Sequence, residues 1–392
     1  MKEVVIVSYA RTAVGTMGGA IKDIHAADLG AVAIKEAINR AGISNDLIDE
    51  VIVGCVGQVA ESAFIARMCA IRAGIPASSN AYTVNRLCGS GLQAINSAVQ
   101  QIQTGNAEVV VAGGTENMDQ LPYYIRKGRY GYKFGHSELE DGLLTALTDP
   151  FGKYPMGVTA EVVAERYNVT REEQDQFAYE SQIKAIEAID KGYFKEQIVP
   201  VEVTGRRGEV TIFDTDEHPR RGTTLEKLSK LKPAFKEGGT VTPGNSSGIN
   251  NGAAALILMT SDKAEKLGLE PIAYVREQAL AGVEPEIMGF APAPAVKRLL
   301  EKANLNLNNI DLMELNEAFA AQSVAVLKDL GIEKEKVNVN GGAIALGHPI
   351  GASGGIITVK LLEELKRRGL KRGVSTMCIG GGQGIATLFE LV

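Results

Sequence analysis

Tryptophan is missing from the 392 residues, and aromatic side chains as a whole supply only 5% of them. A core with so few rings rests on aliphatic and alanine contacts. The hydrophobic fraction of 45% is ample for that and implies more than one compact unit. Cysteine is equally scarce: Cys55, Cys69, Cys88 and Cys378 are the only four. Their spacing fits no zinc pattern and no dense disulfide framework, so a metal site is not expected. No apolar run reaches the roughly 18 residues that span a bilayer, and Met1–Tyr9 lacks a signal-peptide core of sufficient length. A soluble protein in a reducing, cytoplasmic compartment, with no membrane partner, is the expectation. An excess of positive charge is absent too. The formal net charge of −6 argues against general nucleic-acid binding.

One stretch departs from that balance. Between Thr204 and Lys236, eight Lys and Arg residues face five Asp and Glu residues. A solvated loop accounts for the charge most simply; a site for a phosphorylated ligand is the sharper reading. Glycine, in contrast to the scarce residues, is abundant at 44, which means many tight turns and close backbone approaches.

Strand-like runs at Val4–Val7, Val51–Gly54, Val109–Ala112, Asp311–Leu315, Val374–Cys378 and Ala386–Leu391 alternate with helical patterns near 28–41, 91–104, 294–304, 316–329 and 353–368. This alternation predicts an α/β fold with largely buried sheets. The chain also repeats itself. Ala37–Gly42 leading to Leu47–Ile52 is matched by Leu299–Asn304 leading to Asn309–Glu314, which places Asp49 and Asp311 262 positions apart. Cys88-Gly89-Ser90-Gly91 is matched by Gly351-Ala352-Ser353-Gly354 at an offset of 263. Three matches in one order predict a duplicated domain. The pattern breaks over residues 119–248, which include the tyrosine-rich Tyr123–Tyr132, the basic stretch and one capped helix. That helix starts at the capping box Thr170-Arg171-Glu172-Glu173 and stops at Gly192. The expected organisation is a first half of 1–118 with 249–268, an inserted loop domain of 119–248 and a second half of 269–392.

Four stretches carry chemistry. Cys88 lies in Asn85-Arg86-Leu87-Cys88-Gly89-Ser90-Gly91, a turn that opens a helix. Unpaired N–H groups and the helix dipole there are expected to favour the thiolate, although a lone cysteine is more often a small core residue. His348 is the one histidine of four in a glycine-rich turn before a helix, Asn340–Gly354. A lone histidine is commonly structural, but beside Cys88 at the junction of two halves it would activate a nucleophile. Cys378 ends a strand and precedes Gly380-Gly381-Gly382, whose N–H groups can hold an oxyanion. Asn316, in Asn316-Glu317-Ala318-Phe319-Ala320, is either a helix cap or an orienting donor. Neither glycine cluster has the spacing of a dinucleotide fingerprint.

Together these four motifs resemble the thiolases, and the likeness runs nearly end to end. It takes in Arg11-Thr12-Ala13, Ala112–Met118 and Thr242–Ala254. The resemblance implies duplicated α/β halves in a layered αβαβα arrangement. It implies that Cys88 forms an acyl-enzyme, that His348 takes its proton, and that Cys378 moves the α-proton of the substrate. Asn316 with His348, and the backbone N–H groups of Cys88 and Gly380, would hold two oxyanions. For coenzyme A it points to Arg220 and Phe235 at the nucleotide end and Ser247 along the pantetheine arm, with Met156 and Phe319 lining the acyl pocket. Coenzyme A and acyl-CoA would be substrates, with no permanently bound cofactor. Members are commonly homotetramers, with residues near 120–140 joining dimers.

The expected reaction is reversible condensation of two acetyl-CoA to acetoacetyl-CoA. The alternatives are a longer-chain 3-ketoacyl-CoA thiolase of β-oxidation and, from another class, a non-catalytic acyl-CoA or lipid carrier. Four departures bear on the choice. Tyr154-Pro155-Met156-Gly157 has proline where many acetoacetyl-CoA thiolases have histidine. Pro243 stands for a usual alanine, Asn251 for a usual aspartate, and Ala60–Ile65 lacks the usual Gly-Gln-Asn-Pro. A condensing synthase of the same fold is disfavoured by Cys378.

Overall fold

Strand β1, Val4–Thr12, is buried along its whole length, as a strand covered on both faces must be. Val5, Val7 and Ala10 enter one core; Val4, Ile6 and Tyr9 enter another. The structure, a computed structural model, describes residues 2–205 and 207–392; Met1, and Arg206 of the basic stretch, lie outside the described residues.

The first half continues through α1 (Ala26–Ala41), β2 (Glu50–Gly54), α2 (Ile65–Arg72), β3 (Asn80–Val84), α3 (Ser90–Thr104) and β4 (Val109–Asn117). Residues 119–248 then leave the sheet, apart from Ile198 and Val199, which pair in parallel with Arg11 and Thr12 of β1. They contribute α4 (Met156–Arg166) and α5 (Arg171–Asp190) and return in β5, Asn250–Thr260. The second half comprises β6 (Ala273–Gly282), α6 (Pro292–Lys302), β7 (Leu312–Leu315), α7 (Ala320–Leu330), α8 (Ser353–Arg368), β8 (Arg372–Ile379) and β9 (Gln383–Leu391). The strand order is β7-β8-β9-β6-β1-β5-β4-β2-β3. Two residue pairs, Val5 with Tyr274 and Ile6 with Ala273, join the halves into one sheet.

Three cores stack around this sheet. The outer helices α1 and α2 cover one face of the first half, and α6 and α7 cover the second. Between the halves, α3 and α8 share a core with strands of both. The layers are therefore αβαβα, as the resemblance implied. The repeat has a structural basis too. Asp49 Oδ2 accepts from the backbone N–H groups of Glu108 and Val109 at 2.7 and 2.9 Å; Asp311 Oδ2 accepts from Lys371 and Arg372 at 3.0 and 2.8 Å. Each carboxylate staples the start of the matching strand. Where β3 lines β2 in the first half, the second half has a single parallel bridge, Met313 with Val337.

The capped helix forms as expected: Thr170 and Glu173 close both bonds of the capping box, and Gly192 has a φ of 72°. Two long strands, β5 and β6, were not among the expected ones. Asn250–Thr260 reads NNGAAALILMT and is buried on both faces, so it has little β-branched content, only Ile257 and Thr260, and no alternation to mark it. Helix α7 begins at Ala320 rather than 316, with Phe319 at its N-cap position, so Asn316 is not its cap. A buried ion pair ties the inserted region to β1. Arg11 donates two bonds to Asp216 at 2.7 and 2.9 Å and a third to Gln197. Among the described residues, no helix is long and apolar enough to cross a membrane.

Candidate active site

Cys88 is delivered by a strained turn. Leu87 holds a φ of 45°, a left-handed conformation that costs a residue with a Cβ about 1–2 kcal/mol. Ser90 stabilises the turn, accepting from Arg86 N–H at 2.9 Å and donating to the Leu87 carbonyl at 2.6 Å. The resulting start of α3 meets the start of α8 backbone to backbone. A Cβ on Gly354 would collide with the Leu92 N–H, and one on Gly91 would lie 2.9 Å from the Gly351 carbonyl. Only glycine permits this approach. It brings the two equivalent turns, one from each half, to the same place.

Cys88 is half-buried and packs beside Ile350, two residues past His348. The Gly380 N–H and its own N–H are directed at its sulfur and favour the thiolate. Burial outweighs both and pushes the thiol up to about 11. The expectation of a resting thiolate is therefore reversed. The N–H groups of Gly89 and Ser90 are already bonded to the carbonyls of Arg86 and Leu87, which leaves little of the helix start for the sulfur. Cys378, at the end of β8, is fully buried with Met156, Met288, Ala318 and Phe319 around it. Burial first, and the nearby Cys88 second, push its thiol well above the ordinary range.

His348 is buried in the loop between α7 and α8. Burial alone pulls its imidazole down to about 4, so it is neutral at pH 7. The His348 backbone N–H donates to Asn250 Oδ1 at 2.9 Å, and the ring Nδ1 lies 2.6 Å from Ser353 Oγ. Asn316 Nδ2 approaches His348 Nε2 at 3.4 Å, while Asn316 Oδ1 is buried with no partner among the described residues. No hydrogen bond joins Cys88 to His348 among the described residues. Such contacts commonly tighten only when substrate is present.

Two buried carboxyls build this region, both raised by burial. Glu116 accepts from the N–H groups of Val56, Gly57 and Gly351, linking the first half to the histidine loop. Glu317 accepts from Ser181, Asn338 and the Ile344 N–H. Neither these two nor Asn250, Ser353 and Met288 was singled out from sequence. Glu116 and Glu317 lie inside quoted motifs, and Ser353 lies in the repeat.

Of the expected substrate contacts, Met156 lies beside Gly380, where Leu87 is also found. Phe235 meets Phe319 edge-on, ring centroids 6.1 Å apart, and seats itself on Gly157, where a Cβ would strike its ring. Ser247 donates its N–H to the Ala318 carbonyl at 3.0 Å. Arg220 lies apart from this cluster. It lines a cavity of about 280 Å³ with His218, Arg221, Lys227, Pro243 and Ile344.

Residues 4–262 match the thiolase N-terminal domain and residues 269–391 the thiolase C-terminal domain. An acetyl-CoA acetyltransferase of Syntrophomonas wolfei is 52% identical over 394 residues, covering 99% of each chain. The crystal structure of the Bacillus anthracis acetyl-CoA acetyltransferase superposes with a TM-score of 0.98 at 47% identity, covering 100% of this chain and 99% of that one. Human mitochondrial 3-ketoacyl-CoA thiolase in complex with CoA superposes with a TM-score of 0.96 at 44% identity, covering 100% and 98%. With both parts of the chain matched by the two thiolase domains, and with these relatives similar over nearly its full length, the chain belongs to the thiolase family of acyltransferases.

Proposed function

We propose that the protein catalyses the reversible conversion of two acetyl-CoA to acetoacetyl-CoA and CoA through an acyl-enzyme on Cys88. The observations that support this best are two pairs, Cys88 beside Cys378 and Asn316 beside His348, carried by elements that the two facing glycine turns bring together, with the Gly380 N–H directed at the Cys88 sulfur. In thiolysis, neutral His348 takes the Cys88 proton and the sulfur attacks the 3-keto carbon. The oxyanion rests on backbone N–H groups at Cys88 and Gly380. The C2–C3 bond breaks, its electron pair forms the enolate of acetyl-CoA, and the Cys378 thiol protonates that carbon. Asn316 and His348 hold the enolate oxygen. Cys378 then recovers a proton from incoming CoA, whose thiolate attacks the acyl-enzyme, and His348 returns its proton to Cys88. Condensation is the same path reversed. Because Cys88 rests as a thiol, the proton transfer to His348 is an integral step and not a preliminary.

In this reading residues 119–248 act as the CoA-binding insertion between the halves 1–118 with 249–268 and 269–392. Arg220 and Phe235 meet the nucleotide end, and Ser247 borders the pantetheine arm. Tyr130 and Phe134, exposed beyond four-fifths of their surface, join subunits into a cytoplasmic homotetramer. A 3-ketoacyl-CoA thiolase of broader range is the second reading. It is favoured by Pro155, which offers no hydrogen-bonding group beside an acyl pocket lined by Met156, Met288 and Phe319.

Thiolysis rates on 3-ketoacyl-CoAs of increasing length separate the two. A sharp preference for four carbons supports the acetoacetyl-CoA reading, and equal or faster rates on longer chains support the second. Loss of turnover in Cys88→Ala is expected in both cases. Unaltered function in that variant, or no cleavage by the wild type, would overturn both and leave an acyl-CoA carrier.

A further inference from the structure

The serines of the two equivalent turns have taken different partners. Ser90 Oγ donates to the Leu87 carbonyl and accepts from a backbone N–H, that of Arg86. Ser353 Oγ also donates to a carbonyl of its own turn, Pro349, at 2.8 Å. The group that approaches its lone pair is not backbone but His348 Nδ1, at 2.6 Å. We infer that Ser353 is a positioning residue for acyl transfer, holding His348 as the Nδ1–H tautomer so that the Nε2 lone pair faces the reacting groups.

The inference rests on the thiolase reading above and on three observations. The one proton of Ser353 is committed to Pro349, so the hydroxyl can only accept from the ring. Ser353 and His348 are 3% and 7% exposed, so solvent scarcely competes for the contact. The opposite ring nitrogen lies 3.4 Å from Asn316 Nδ2, a donor whose hydrogen an unprotonated Nε2 can accept. A hydroxyl in this position differs from the carboxylate that orients many catalytic histidines, because it supplies no counter-charge. The imidazolium made when Cys88 is deprotonated is therefore held only briefly and returns its proton readily.

The test is the nitrogen-15 NMR signature of His348 in the full-length protein, assigned by substituting the other three histidines one at a time. Wild type and Ser353→Thr should show Nδ1–H. Ser353→Ala should show a mixture or the Nε2–H form. The same Ser353→Ala variant should lose about 10–100-fold in kcat of thiolysis with KM nearly unchanged, by analogy with partners that orient ligating histidines. Ser353→Thr should recover most of it. Should Ser353→Ala not fold, the wild-type and Ser353→Thr spectra still decide. An Nε2–H wild type, or a Ser353→Ala variant with unchanged tautomer and kcat, overturns the inference. A wild type with the Ser353-dependent tautomer but no thiolysis would instead overturn the reaction and, with it, the catalytic role of this contact.

Discussion

An amide beside a carboxylate shows how much one atom decides. Asn251 is fully buried; it accepts from the Met118 N–H at 2.8 Å and donates to Asp119 Oδ2 at 2.6 Å. An aspartate at 251, usual in the family this chain resembles, would set two carboxylates against each other here. Asn251→Asp should cost about 3 kcal/mol in denaturant unfolding, and adding Asp119→Asn should return most of it. Strict additivity of the two would refute the pairing. His348 gives a second expectation. A base must be unprotonated, and this imidazole titrates near 4 instead of near 6.5. The acid limb of kcat/KM should therefore lie well below pH 6, and a limb at about 6.5 would contradict a buried, neutral ring. Cys88, His348 and Cys378 were legible in sequence because short glycine-flanked motifs mark them, and Asn316 because it opens Asn-Glu-Ala-Phe-Ala. Glu116 was not, because its partner Gly351 lies 235 positions away.

Elements meet where side chains are absent. In an exposed helix, glycine to alanine is worth about 1 kcal/mol of stabilisation. At Gly354 the sign should reverse, since the new methyl would strike backbone N–H of Leu92 and not a side chain that can move. Gly354→Ala should destabilise by roughly 3 kcal/mol, read as a fall in melting temperature. A neutral effect would mean that α3 and α8 are farther apart. Helices α1, α3, α6, α7 and α8 were legible through their 3.6-residue pattern, whereas the short α2 was not among the expected ones. Strand β5 was not, because an alanine-rich run buried on both faces lacks the alternation that identifies a strand. Its place is fixed by partners on either side, β1 and β4, which local sequence cannot report.

At the scale of the molecule, protonation and one ion pair set the limits. His218 and His348 are both lowered to about 4, chiefly by burial. Between about pH 6.5 and 4 the unfolded chain binds more protons than the folded one. Stability therefore falls on acidification, by up to roughly 3 kcal/mol for a fully buried ring. Glu116, Glu314 and Glu317, raised by burial, act in the opposite sense, losing stability as pH rises above about 4.5. Thermal melts of wild type and His218→Asn should approach each other as pH drops through this window, and parallel curves would refute the histidine contribution. The Arg11–Asp216 pair fastens the inserted region to the central strand. Removing one partner, as in Asp216→Asn, should cost about 3–5 kcal/mol, more than any surface pair. Urea unfolding would read this as a lower midpoint at unchanged slope.

The central place of β1 has a consequence for how the protein is made. Strand β1 pairs with Ala254–Thr260 and with Ala273 and Tyr274, which lie far downstream of it in the chain. At roughly 5–20 residues per second, it waits tens of seconds for those neighbours. During that time Val-Val-Ile-Val presents an unpaired apolar edge to the cell. The centre of this fold is thus completed only after the chain has been made through Tyr274, and its yield during synthesis depends on whatever shields β1 until then.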